Sequence, residues 1–132
     1  VVLEDIEQAL HPGEAEALIL RTMPNDDLKR KTNYSGANPP FIDAQAMQYL
    51  VRCGIDHLLT DLPSVDREED AGALAAHKAF WKYPDAIREQ STITELIYVP
   101  SSIPDGLYLL NLQIASLELD ASPSKPVLFV LK

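Results

Sequence analysis

The chain has 132 residues, 46% apolar and 23% charged, with eleven basic against twenty acidic side chains for a formal charge of −9. That composition excludes disorder as the main state, and the length predicts a single domain over residues 1–132, which the elements below make α/β, long enough to bury roughly two-thirds of the surface of its unfolded chain. The acidic balance, with a pI near 4.6, opposes the phosphate contacts that dominate nucleic-acid affinity, so neither nucleic acid nor an anionic membrane surface is expected as a partner. One cysteine, Cys53, forms no internal bridge, and no run approaches the roughly 18 apolar residues of a membrane span. A cytoplasmic location is the expectation.

Leu3, Ile6 and Leu10 recur at helical spacing until His11-Pro12-Gly13 ends the pattern. Ala17-Leu18-Ile19-Leu20 is apolar on both parities, which predicts a central strand covered on both faces. From Met23 to Pro40 the chain turns to Asn, Asp, Lys, Gly and Pro, a long loop of the length that often carries function. Asp43 is placed to cap a helix through Arg52, with Ala46, Met47, Leu50 and Val51 on one face and Gly54 closing the end. Ile55 to Thr60 reads as the next strand, so strand, helix and strand make a βαβ unit. After an acidic loop, Asp66 to Asp70, a further helix is expected from Ala71 to Trp81, ending before Pro84. Thr92 to Val99, Gly106 to Leu117 and Pro126 to Leu131 read as strands, which predicts a β-meander in the second half.

Two residues stand out of these patterns. A period of two through Thr92 to Val99 places Glu95 on the face of Ile93, Ile97 and Val99, and a carboxylate there requires a cation, a donor or a metal as partner. A salt bridge, or an edge position facing water, meets that need without any function. His77 shares a helical stripe with Leu74 and Trp81; a hydrogen-bonded core histidine satisfies that pattern as well as a ligand does. His57 beside Asp56, and His11 in a turn, carry less chemistry. Ser64 with a histidine and an aspartate makes a triad only on paper, and Cys53 reads as a small apolar residue.

The segment Gly54-Ile55-Asp56-His57-Leu58-Leu59-Thr60-Asp61-Leu62-Pro63-Ser64-Val65-Asp66 resembles the D-x-P-S-V-D segment of the putative-cyclase family of metal-dependent hydrolases, which includes bacterial kynurenine formamidases. The resemblance continues through Leu74 to Trp81, Thr94-Glu95-Leu96, Pro104 to Tyr108 and Ala121 to Leu128, and more weakly through the Ala17 to Thr22 strand. It implies a mixed sheet with helices of the family's swivelling β/β/α type, a divalent metal (Zn or Mn), and His77 and Glu95 as metal ligands. It also implies hydrolysis of amide or cyclic-amide bonds in a small molecule. Exposed apolar strand edges, which pair with other chains, predict a homo-oligomer. The family's motif H-x-G-T-H-x-D-x-P-x-H is not in these residues, and Lys78 stands where many members carry a second histidine. The expectation is therefore the C-terminal portion of a longer hydrolase, inactive as this fragment. The rival is a non-catalytic α/β binding or oligomerisation module. By its length, the loop from Tyr34 to Phe41 is expected to border the substrate pocket.

Overall fold

Asp43 and Gly54 bracket the longest helix, and the computed structural model, which describes residues 1–131, gives each its local reason. The helix α2 spans Ala44–Cys53. The Asp43 carboxylate accepts the Gln45 N–H at 2.7 Å, satisfying one of the donors that a helix leaves unpaired at its start. Gly54 has φ 88° and turns its N–H back to the carbonyls of Leu50 and Val51, a left-handed stop that a Cβ would strain. Between these caps Ala46, Met47, Leu50 and Cys53 are buried.

The strand β1 (Ala17–Leu20) precedes α2, and β2 (His57–Thr60) follows it. They pair in parallel with Ala17 opposite His57 and Leu20 opposite Thr60, so the predicted βαβ unit forms. A third strand, β3 (Thr92–Thr94), pairs in parallel with the other side of β2, His57 opposite Thr92. The order β1-β2-β3 corrects one expectation. The central strand is β2, with Leu58, Leu59 and Thr60 buried, whereas β1 lies at the edge and all four of its residues are half-buried. Two apolar faces do not by themselves make a strand central, because a neighbour on each side is also required.

The helix α1 is shorter than its apolar spacing, covering Leu3–Glu7, but Leu10 still joins Ile6 in the core. The predicted long loop holds a 3-10 turn over Asp27–Lys31, capped by Asp26. The helix α3 runs over Ala75–Trp81 rather than from Ala71. Asp70 accepts the N–H groups of Gly72 at 2.8 Å and Leu74 at 2.6 Å, and Ala71 and Leu74 have φ of 55° and 49°, so this segment is a side-chain-capped turn. The face of α3 that enters the core is Ala76 and Phe80; Leu74 is exposed. That corrects the stripe expected from Leu74, His77 and Trp81, although His77 and Trp81 do share a side.

The strand expected from Thr92 to Val99 stops at Thr94. Leu96 has φ 56°, and its N–H goes to the Leu62 carbonyl while that of Ile97 goes to Thr60. The alternation that aligned Glu95 with Ile97 and Val99 therefore breaks at Glu95. The meander is corrected as well: β3 belongs to the parallel sheet, and only β4 (Tyr108–Ile114) and β5 (Ser124–Val130) form an antiparallel pair.

The chain divides into two compact units, Val1–Pro100 and the residues from Ser101 onward. The first is an α/β unit whose core joins Ile6, Ile42, Met47, Leu50, Ile55, Leu58, Val65 and Phe80. The second is the hairpin. Among the described residues no helix is long and apolar enough to cross a membrane.

Candidate functional site

Three parallel strands finish side by side at Leu20, Thr60 and Thr94. The segments that leave them, beginning at Arg21, Asp61 and Glu95, emerge at one edge of the sheet. In open parallel sheets the crevice beyond the carboxyl ends of the strands is where ligands bind. Most of the chain's noteworthy polar side chains gather there.

Asp61 follows β2 directly and is saturated. Its carboxylate accepts the Thr22 N–H at 3.1 and 2.9 Å, the Thr22 hydroxyl at 2.9 Å and the Lys29 ammonium at 2.6 Å. Lys29 also donates to the Thr22 carbonyl and hydroxyl. With the two side chains only 2% and 16% exposed, this pair fastens the strap from Thr22 to the 3-10 turn onto the sheet. No lone pair aimed at solvent is needed for that work, so Asp61 is a structural carboxylate.

Asp66 is also buried, five residues further along the loop. One of its oxygens accepts the Ala76 N–H at 2.6 Å; the other lies 2.6 Å from Nδ1 of His77 and 3.3 Å from the His77 N–H. A single carboxylate thus caps α3 and grips the imidazole of its third residue. The opposite ring nitrogen of His77, Nε2, lies 3.6 Å from Oε1 of Glu95, with the two side chains 19% and 28% exposed. Glu95 Oε1 accepts the Val65 N–H at 2.8 Å. The Trp81 ring flanks the imidazole, with centroids 5.2 Å apart.

The structure therefore brings His77 and Glu95 together, from α3 and from the end of β3. It adds Asp66, which the sequence placed at the end of the D-x-P-S-V-D resemblance and at the start of an acidic loop without giving it a role. The signal for Asp66 was present in Asp61-Leu62-Pro63-Ser64-Val65-Asp66, a pair of acids closing a strand exit. Nothing in the spacing, however, shows that a carboxylate will reach an imidazole eleven residues away.

The remaining candidates have structural work. His57 lies at the amino end of β2, its Nδ1 3.0 Å from the Thr92 hydroxyl, at the opposite end of the sheet from the loop that carries Ser64. The Ser64 hydroxyl accepts the Asp66 N–H at 3.1 Å. A Ser64–His57 dyad is thereby excluded. Cys53 is buried in the core. The loop 34–41 is clamped on the segment after Asp66: Glu68 accepts the N–H groups of Gly36 and Asn38, at 2.6 and 2.9 Å, and the Arg67 guanidinium lies over the Phe41 ring at 4.4 Å. In the turn that leads into α3, the N–H groups of Leu74 and then Gly72 hold the Asp70 carboxyl below the usual carboxylate range.

Among the described residues no group of three or more His, Cys, Asp or Glu side chains is arranged to hold a metal ion. Two donors do converge, and the chemistry of an imidazole nitrogen and a carboxylate oxygen suits zinc or manganese.

A family model described as putative cyclase matches residues 1–67, half of the chain. The chain belongs to the putative-cyclase family. The matched span contains β1, α2, β2 and the loop as far as Asp66, including the first block of the resemblance seen in the sequence. His77 and Glu95 lie beyond it. No curated protein matches the chain. Family membership therefore assigns the βαβ frame and the loop that supplies Asp66, while the reading of His77 and Glu95 stands on their geometry.

Proposed function

We propose that this chain supplies part of the metal centre of a hydrolase that cleaves amide or cyclic-amide bonds in small molecules, with His77 and Glu95 as two of the protein ligands to a zinc or manganese ion. The observation that carries the reading is the 3.6 Å approach of His77 Nε2 to Glu95 Oε1. The two atoms come from separate elements, are too far apart to hydrogen-bond to each other, and face one another at the carboxyl edge of a parallel sheet, where ligands bind. A cation between them satisfies both. Membership in the putative-cyclase family supports the hydrolase class.

When bound, such an ion polarises a carbonyl and acidifies a water. The rest is the work of the side chains. His77 and Glu95 bind the ion, and the tilted Trp81 ring packs against the imidazole. Val65 holds Glu95 through its N–H, which keeps one carboxylate oxygen directed toward His77. A catalytic zinc takes three protein ligands and keeps one position open. On this reading the further ligands and the general base lie outside this pair. The kynurenine-formamidase-like substrate, the homo-oligomer and the cytoplasmic location belong to the same proposal.

The test is calorimetric titration of the chain with Zn²⁺ and Mn²⁺, repeated on His77→Ala and Glu95→Ala. Weak binding by the unaltered chain, lost in each variant, is the expected result. No binding, or binding equal in all three proteins, overturns it.

A second reading has an observation of its own. In the hairpin Leu109 is 60% and Phe129 50% exposed on one face, and Val130 is 76% exposed on the other. A lone two-stranded pair is marginally stable in water. That favours a non-catalytic binding or oligomerisation module, and sedimentation of the chain as a strict monomer at high concentration would count against it.

A further inference from the structure

The metal reading concerns one nitrogen of His77, and the other nitrogen decides whether the first is available. We infer that Asp66 is a positioning residue that keeps the proton of the neutral His77 imidazole on Nδ1 and so leaves the Nε2 lone pair free toward Glu95; the inference rests on the proposed role of His77 as a ligand. A neutral imidazole carries one donor and one acceptor nitrogen. Asp66 Oδ2, 2.6 Å from Nδ1, is a carboxylate oxygen and can only accept, so Nδ1 must donate. The carboxylate cannot turn away. Its other oxygen accepts the Ala76 N–H at 2.6 Å and its side chain is 7% exposed, so the cap that starts α3 also fixes the oxygen that faces the ring. No hydrogen bond fixes a proton on Nε2, because Glu95 Oε1, at an ion-pair distance of 3.6 Å, lies beyond hydrogen-bond reach.

The same geometry predicts what Asp66→Asn does. The Ala76 N–H requires an acceptor, so the amide oxygen takes that position and the amide NH₂ is presented to Nδ1. Only the long 3.3 Å contact from the His77 N–H is lost. A donor facing Nδ1 moves the ring proton to Nε2, where it blocks the lone pair. Carboxylates that orient metal-ligating histidines in this way typically contribute 10- to 100-fold in metal affinity.

The experiment is long-range ¹⁵N–¹H correlation of the His77 ring in the full, metal-free chain at about pH 8, where imidazoles are ordinarily neutral. The expected spectrum has a protonated Nδ1 and a bare Nε2 in the unaltered chain, with the two exchanged in Asp66→Asn. A proton on Nε2 in the unaltered chain, whether alone or together with one on Nδ1, overturns the inference. So does an unchanged tautomer in an Asp66→Asn protein whose helical circular dichroism is intact. If that variant does not fold, the spectrum of the unaltered chain still decides. Zn²⁺ is then added to the unaltered chain as a separate arm. Failure of Nε2 to move would remove the metal reading while leaving the hold of Asp66 on the ring established.

Discussion

The two units of this chain are both rich in apolar side chains, yet they use them differently. In Val1–Pro100 the βαβ unit and α3 enclose a core in which Leu50, Leu58, Ile55 and Phe80 are fully buried. In the hairpin, no described residue from Ser101 to Leu131 is buried, although Leu109, Leu110, Leu112, Val127, Leu128 and Phe129 lie in its two strands. Alternation and a matching register are enough to pair two strands. Closing a core requires a second layer, and in the first unit α2 and α3 provide it. The carboxylates of the first unit that matter, Asp61, Asp66 and Asp70, each hold backbone N–H groups in place, and the candidate ligands are built on that frame.

The sharpest way to break this contrast is to remove one aromatic ring from each unit. Phe80→Ala empties a fully buried position and is expected to cost about 3–5 kcal/mol in chemical denaturation. A loss below about 1 kcal/mol would show that the core is looser than described. A smaller effect is expected at Asp70. Its folded pKa lies below its unfolded one because of the Leu74 and Gly72 N–H groups, so its contribution is complete above the unfolded value, near 4, and is lost as the pH falls through the folded value. The difference in urea midpoint between the parent and Asp70→Asn should stay constant from pH 7 to pH 5 and shrink below about pH 4. A difference that grows on acidification would contradict that assignment. The smallest effect belongs to the hairpin. Phe129→Ala, at a half-exposed site, is expected to change stability by less than about 0.5 kcal/mol, unless a partner covers that face.

What the sequence made legible follows the same physics. Asp43, Gly54 and the apolar face between them predicted α2 nearly to the residue, because caps and periodicity are local signals. The βαβ unit followed from α2 and its flanking strands. The start of α3 was missed because Asp70 captures two N–H groups and forms a turn where propensity favours helix. The end of β3 was missed because Ile97 and Val99 continue the alternation past Leu96, whose left-handed backbone has no signature in a leucine. At the site, Glu95 and His77 drew notice as polar groups on apolar faces, and they do meet. The faces themselves were wrong: β3 ends before Glu95, and α3 buries Ala76 and Phe80 instead. Asp66 stood out only as the last residue of the D-x-P-S-V-D resemblance, and its hold on His77 went unread because a reach across eleven residues depends on the fold.

The most direct test of the central claim is a crystal of the chain soaked in Zn²⁺, with anomalous diffraction recorded at the zinc edge. The account predicts a peak bonded to His77 Nε2 and to a Glu95 carboxylate oxygen at about 2.0–2.2 Å. A peak elsewhere, or an undisturbed His77–Glu95 pair in a crystal saturated with zinc, would contradict it.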